Sequence, residues 1–509
     1  MKKLASLVLH RLVFMALAMI LQLGVLIVMM VRFGNYFFEF YGVCIVVSLL
    51  AVLWIVGNDS NPAYKIAWIV PIMLVPVFGG VIYLLFGRNR LSRRNRKYLQ
   101  VMEERMVATL SPDFAADTLT KRAGACAAKQ SHYMEQSGHC PVYENTAIAY
   151  YPLGDDSFQP MLDALRSAEH YIFIEYFIIE KGIFWNSITD ILKEKVKQGV
   201  DVRVLYDDIG CMYTLPKGYP KELAADGIQC AVFNPFVPVL STILNNRDHR
   251  KICVVDGKIA FTGGVNLSDE YINVREKYGH WKDSAIRLEG DAVWSMTVMF
   301  LTMWDFVHGT EGDYEGFRPH FAEKPRGDGL VQPYTDCPWD DEPVGETVYL
   351  NLISNAEKYV YITTPYLIID SAITTALVAS AKSGVDVRIM TPHIPDKKVI
   401  FEVTRAHYEA LLAGGVQIYE YTPGFVHGKN FAVDDKFGTV GSVNMDYRSM
   451  FLHFENGVWL CDVPAIAEIR EDFTKTLEQC QPVTLAQCKS LPLWQRLLRD
   501  ILRVFAPLM

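Results

Sequence analysis

His249-Arg250-Lys251-Ile252-Cys253-Val254-Val255-Asp256 is answered much further along the chain by His427-Gly428-Lys429-Asn430-Phe431-Ala432-Val433-Asp434. Each leads into a glycine-led return, Gly263-Gly264-Val265-Asn266 and Gly441-Ser442-Val443-Asn444, so both stretches read H-x-K-x4-D-x6-G-[GS]-x-N. A lone H-x-K carries little information. Two copies, each with Asp at +7 and Asn at +17, carry a great deal. In a strand, residues two apart point to one face, so His249 can share a face with Lys251, and His427 with Lys429. The apolar residues after each lysine anchor the strand in a core, while Gly263 and Gly441 permit the tight turn that returns an Asn towards the His.

The repetition extends beyond the motifs. Ala168-Glu169-His170-Tyr171-Ile172-Phe173-Ile174 recurs as Ala356-Glu357-Lys358-Tyr359-Val360-Tyr361-Ile362. Gly199-Val200-Asp201-Val202-Arg203-Val204 recurs as Gly384-Val385-Asp386-Val387-Arg388-Ile389, and Gly227-Ile228-Gln229 as Gly415-Val416-Gln417, all at nearly the same offset. Short β-branched and aromatic runs alternating with helical stretches indicate an α/β class. The period is too long for a solenoid. A duplicated half-domain is therefore expected, as two α/β sandwiches across a pseudo-twofold axis with a shared site between them.

That site would offer two imidazoles, two ammonium groups and two carboxamides, a set suited to a phosphodiester. Lys251, Lys429, Asn266 and Asn444 would bind non-bridging oxygens, one imidazole would attack phosphorus, and the other would protonate the departing oxygen. Asp256 and Asp434 belong to the motif but lie far from His in sequence, which suggests structural support. Asp283 and Glu455, which follow Asn266 and Asn444 along the chain, are the carboxylates expected to orient the imidazoles. His280, His308, His393 and His453 read as satisfied core histidines. No metal is expected, because no ligand cluster appears and a lysine beside each His repels a cation. The ten cysteines are scattered without a C-x-x-C pair, which gives no zinc knuckle or redox motif.

These residues resemble the phospholipase D superfamily, and within it the bacterial cardiolipin synthases. Asn246-Arg247-Asp248 before His249, the Gly263-Gly264 form of the first motif, Trp281-Lys282-Asp283, Asp207-Asp208-Ile209-Gly210 and Asn61-Pro62-Ala63-Tyr64-Lys65 all fit. The resemblance implies a phosphatidyl-histidine intermediate and the joining of two phosphatidylglycerol molecules into cardiolipin and glycerol, with no cofactor. It implies His249 as nucleophile and His427 as acid–base group, with Gly264 and Ser442 among the substrate-binding positions. A phospholipase D hydrolase or another phosphatidyltransferase on the same fold is the alternative. A third N-terminal apolar run departs from the family's common pattern.

Of 509 residues, 51% are hydrophobic and 21% charged, and the mean hydropathy is +0.13, which excludes a disordered or collagen-like chain. The first hundred residues hold eleven Lys/Arg against Glu39 and Asp59, leaving 38 bases against 55 acids, a net of −17, in the rest. Such an acidic body is a poor partner for nucleic acid. Residues 1–100 read as a membrane anchor, with apolar runs at about 12–31, 37–56 and 66–86 long enough for two or three transmembrane helices. The basic cluster Arg88–Lys97 would hold the following body in the cytoplasm. A connector at 101–140, a first domain at 141–310, a linker at 311–343, a second domain at 344–485 and an amphipathic tail at 486–509 complete the expected organisation. In the tail, Arg496, Arg499 and Arg503 share one helical face and Leu498, Ile501 and Phe505 most of another, as in a helix lying on anionic lipid.

Overall fold

The computed structural model describes residues 20–21, 23–24, 27–28, 31–32, 37–58, 61–74, 83, 93–110, 116–236, 245–323, 325–327, 329–340 and 342–508. The chain divides into two compact units: Met1–Leu91 with Pro235–Asn246 and Val504–Met509, and Ser92–Asn234 with Arg247–Arg503.

The larger unit is an α/β fold built twice. Its first half contributes β1 (Thr146–Tyr151), β2 (Tyr171–Tyr176), β3 (Asp201–Asp207), β4 (Gln229–Phe233), β5 (Arg247–Asp248), β6 (Lys251–Val255), β7 (Ile259–Gly263), β8 (His280–Lys282) and β9 (Ala285–Gly290). The second contributes β10 (Leu330–Asp336), β11 (Tyr359–Thr363), β12 (Leu367–Ile368), β13 (Asp386–Pro392), β14 (Gln417–Tyr421), β15 (Gly424–Val426), β16 (Asn430–Val433), β17 (Phe437–Gly441), β18 (Met445–Asp446), β19 (His453–Cys461) and β20 (Cys480–Val483). One sheet runs β1-β9-β7-β6-β2-β3-β4 and the other β10-β19-β17-β16-β11-β13-β14-β20, the same order strand for strand until β20 caps the second edge.

The pattern of β2 explains the layering. Successive side chains of a strand point to opposite faces, and every residue of Tyr171–Tyr176 is buried. Ile172, Ile174 and Tyr176 join Leu162, Leu165, Phe184 and Ile188 of the helices Gly154–Arg166 and Ile183–Lys197. Tyr171 and Phe173 face the other way, where Phe173 stacks on Phe300 at 4.5 Å. Phe300 belongs to Val293–His308, a helix buried on nearly all sides because it is apolar nearly all round. That same core takes Val254, Ala260, Ile286 and Leu288 from the first sheet and Ala432, Val440, Val458 and Leu460 from the second. One continuous apolar layer thus joins the halves and fixes how the two motif strands meet.

In the smaller unit, the run expected at 37–56 is one helix, Phe37–Val56, and Pro62–Leu74 covers the start of the next. Ala51, Ile55, Ile72 and Tyr83 are buried together, while Val43, Val46, Leu49, Leu50 and Leu53 are exposed. The run at 12–31, and the run at 66–86 past Leu74 except for Tyr83, lie largely outside the described residues. Among the described residues no helix is long and apolar enough to cross a membrane. The spanning segments therefore rest on the sequence alone.

Candidate active site

Each motif strand is entered through a short strand that crosses to the opposite half. β5 pairs in parallel with β19, matching Arg247 with His453 and Asp248 with Phe454, and the His249 amide donates to the Phe454 carbonyl at 2.9 Å. β15 pairs with β8 in the same manner, matching Val426 with Lys282, and the His427 amide donates to the Lys282 carbonyl at 2.7 Å. The next residues on those partner strands are Glu455 and Asp283. The register therefore delivers the carboxylate of each half to the imidazole of the other. His249 Nδ1 lies 2.9 Å from Glu455 Oε1, and His427 Nδ1 lies 2.6 Å from Asp283 Oδ2, with both carboxylates fully buried.

The two carboxylates are held differently, and this explains why the motifs diverge at one position. A Cβ on Gly264 would overlap Asp283 Oδ1 and stand 2.9 Å from the His427 carbonyl, so only glycine leaves room for the short carboxylate. At the equivalent place the Ser442 hydroxyl donates to Glu455, a side chain one methylene longer. Asp283 instead accepts from the Ser284 amide at 2.9 Å.

Lys251 and Lys429 each bond the carbonyl of the His two residues before, placing both ammonium groups on the imidazole face of their strands. Lys429 Nζ also stands 2.8 Å from His427 Nδ1. That nitrogen has one proton or one lone pair, and the shorter contact to the Asp283 carboxylate takes it as a donor. The motif aspartates lie at the far end of the hairpins. Asp256 and Asp434, at φ 52° and 55°, sit in left-handed turns. Asp256 accepts from the amides of Glu169, His170 and Tyr171 at 2.8 Å, and Asp434 from those of Glu357, Lys358 and Tyr359 at 2.7–2.8 Å. They tie each motif to the start of its neighbouring strand, β2 or β11.

Asn266 accepts from the Ile178 amide at 3.1 Å and donates to the Tyr271 hydroxyl at 2.8 Å. Asn444 is buried with its Oδ1 unpaired among the described residues. Among the described residues neither carboxamide makes a hydrogen bond to an imidazole. Asn266 reaches the site indirectly: the Tyr271 ring stands 5.5 Å from that of His427. Asp207 accepts from the amides of Ile209, Gly210 and Asp248 and stands 3.3 Å from Arg247, fixing the crossing strand from below.

Sequence reasoning missed the walls around the imidazoles. His427 lies among Tyr271, Trp281 and Phe425, with ring centroids 5.5–5.8 Å away, and His249 between Phe177 at 4.9 Å and His453 at 5.5 Å. The missing signal was spacing. Trp281 and His453 each stand two residues before a carboxylate, so the strand period puts them on its face. His453, read as an ordinary histidine, is a buried neighbour of the first motif. Burial holds its imidazole down at about 3, and both ring nitrogens lack hydrogen-bond partners among the described residues. His249, His453 and Glu455 bring one potential ligand atom each within 4.8 Å of the others, so these residues could hold a metal ion, against the repulsion of the nearby lysines.

The electrostatics also show that the sets converge. Burial first, then Lys251, then Lys429, hold His249 well below the ordinary imidazole value; burial, Lys429 and Lys251 do the same to His427. An acid–base pair of imidazoles calls for values pushed apart, but in the free site both move down, because both rings are buried and both lysines act on both. Burial lowers Lys251 to about 7 and Lys429 to about 8 and lifts Asp283 to about 7. An ammonium is charged below its pKa, so an anionic substrate meets fewer charged lysines as pH rises. The kcat/KM of the enzyme is expected to fall above about pH 7–8, with the limb for kcat displaced upward because a bound phosphodiester retains the protons. A kcat/KM profile flat to pH 9.5 would remove the lysines from substrate capture.

Fold and site together define a duplicated phospholipase D-like protein. The family model described as "Cardiolipin synthase, PLD-like domain" matches residues 161–287 and 349–477, and one described as "Phospholipase D-nuclease N-terminal" matches 46–88. An uncharacterized protein of Streptococcus mutans is 41% identical over 466 residues, covering 90% of this chain and 99% of its own. A cardiolipin synthase of Alkalihalophilus pseudofirmus is 31% identical over 474 residues, covering 92% of this chain and 94% of its own. Among solved structures, a phosphatidylserine synthase of Haemophilus influenzae superposes with a TM-score of 0.55 at 15% identity, covering 75% of this chain and 98% of its own, a likeness of fold. The chain belongs to the cardiolipin synthase family of phospholipase D-like proteins.

Proposed function

We propose that this protein is a cardiolipin synthase, a phosphatidyltransferase that converts two phosphatidylglycerol molecules into cardiolipin and glycerol. The observation that carries the mechanism is the exchange of carboxylates between halves, which gives each of two buried imidazoles a carboxylate at Nδ1, Glu455 for His249 and Asp283 for His427, and leaves Nε2 of each for chemistry. His249 Nε2 attacks phosphorus, the phosphorus–oxygen bond to the glycerol headgroup breaks, and His427 donates a proton to the departing oxygen. His427 then takes the proton from a headgroup hydroxyl of a second phosphatidylglycerol, whose oxygen attacks phosphorus and frees His249. Lys251 and Lys429 hold the non-bridging oxygens, and Asn266 and Asn444 complete their surroundings. The entering phosphodiester anion offsets the lysine charges, so that one imidazole can be protonated in the complex although both are held low in the free site.

The substrate places this chemistry at a membrane. The anchor read from the sequence of residues 1–100 would hold the enzyme there, and the Arg88–Lys97 cluster would set the catalytic halves on the cytoplasmic side. The function is tested by giving the purified protein phosphatidylglycerol as the sole lipid, without nucleotide or added divalent metal, and analysing lipids by mass spectrometry. Cardiolipin and free glycerol are expected in equal amounts. Phosphatidic acid as the dominant product would make the protein a hydrolase, and an absolute need for a nucleotide-activated lipid would exclude the exchange mechanism.

A further inference from the structure

The C-terminal helix Leu493–Phe505 meets the body through its arginine side. Its arginines serve the protein: Arg499 is buried and its Nε donates to Glu402 at 2.8 Å, while Arg496 stands 3.6 Å from Glu409. Both glutamates lie on the helix Lys398–Ala413, one heptad apart, so two ion pairs fix the C-terminal helix by its polar face. The apolar face is left outside. Leu493, Trp494, Leu497, Leu498 and Ile501 are 82%, 68%, 60%, 42% and 48% exposed. These positions fall at the three- and four-residue intervals of one helix side. A ridge of large apolar side chains on an otherwise acidic body marks an interaction surface.

Its surroundings identify the occupant. In this C-terminal stretch Arg503 and Lys489 are exposed and Arg496 is half-buried, against the one exposed acid Asp500. Residues 485–508 carry four bases and one acid in a body that is otherwise strongly negative. A symmetric contact with a second copy would set Arg503 and Lys489 against the same residues of that copy. An anionic lipid surface offers both an apolar interior and opposite charge, and Trp494 at the end of the ridge suits the headgroup boundary, where tryptophan is enriched. We propose that Leu493–Phe505 is a membrane-docking helix that inserts the Leu493/Trp494/Leu497/Leu498/Ile501 ridge into an anionic bilayer, while Arg499 and Arg496 bind it to the helix Lys398–Ala413. The docking would seat the second half of the enzyme on the bilayer independently of the N-terminal segment.

The test uses the full-length protein in vesicles of phosphatidylglycerol and phosphatidylcholine, part of the phosphatidylcholine carrying brominated acyl chains that quench tryptophan on contact. Quenching is expected in the wild type with a component that disappears in Trp494→Phe, and that component should weaken in the double variant Leu497→Glu/Ile501→Glu. Equal quenching of wild type and Trp494→Phe would overturn the proposal, as would a lower oligomeric mass of the double variant in detergent, which would assign the ridge to self-association. Because quenching needs no turnover, it is read separately from the function proposed above. If that function stands, the double variant should also raise KM for vesicular phosphatidylglycerol about tenfold at nearly unchanged kcat, while dispersed short-chain phosphatidylglycerol is used as by the wild type.

Discussion

A His249→Ala enzyme is expected to lose turnover almost completely, by about 10⁶-fold, as when the nucleophile of a covalent enzyme is removed, whereas His427→Ala should retain a first step that the right donor reveals. The reason lies in the different demands on the two rings. In the proposed mechanism His249 forms the bond to phosphorus, while its ring neighbours are Phe177 at 4.9 Å, which has no nucleophile, and His453 at 5.5 Å, centroid to centroid. His427 supplies and removes a proton, a contribution of about 10²–10⁴, and a leaving group stable as an anion does not need that proton. With phosphatidyl-p-nitrophenol, His427→Ala should release a burst of about one nitrophenolate per site and then stall, because the acceptor hydroxyl has no base. His249→Ala should show no burst. A burst in His249→Ala and none in His427→Ala would exchange the roles.

The second large effect concerns the carboxylates that cross between halves. Glu455→Gln and Asp283→Asn should each lower kcat by about 10²–10⁴, the scale seen when a carboxylate that fixes an imidazole tautomer becomes an amide. As carboxylates, Glu455 and Asp283 only accept from Nδ1, which fixes the lone pair on Nε2. As amides they can donate to Nδ1, placing the proton on the nitrogen that must react. The variants should differ in rescue. The p-nitrophenyl donor should restore the first step in Asp283→Asn, which disables the acid, but not in Glu455→Gln, which disables the nucleophile. Losses below fivefold in correctly folded variants, checked by circular dichroism, would reduce both residues to structural ion pairs. Each defect should track the His of the opposite half, and that pairing separates the crossed arrangement from one in which each domain serves itself.

The duplication was legible because it is written twice: paired motifs and near-constant offsets between the repeated segments reappear as two sheets of one strand order. The support given by Asp256 and Asp434 was legible from their distance along the strand. Which carboxylate meets which imidazole was not, because that depends on β5 pairing with β19 and β15 with β8, contacts made by strands of two and three residues that carry no periodicity of their own. The same holds for the tail. Its amphipathic pattern is plain in the sequence, but a pattern does not say which face looks inward, and Glu402 and Glu409 on another helix decide it. His453 could have been found from its place two residues before Glu455. The downward shift of both imidazoles could not, since it needs both rings buried and both lysines in one cleft.

The central claim is a covalent exchange through one imidazole, and it is tested most directly by mixing wild-type protein with phosphatidylglycerol, quenching within milliseconds into denaturant at neutral or alkaline pH, where a phosphorus–nitrogen bond survives, and mapping peptides by mass spectrometry. The account predicts a phosphatidyl group on the peptide containing His249, formed before cardiolipin and consumed as cardiolipin appears. A labelled peptide containing His427 instead would invert the roles, and cardiolipin accumulating with no modified histidine at any time point would contradict covalent catalysis.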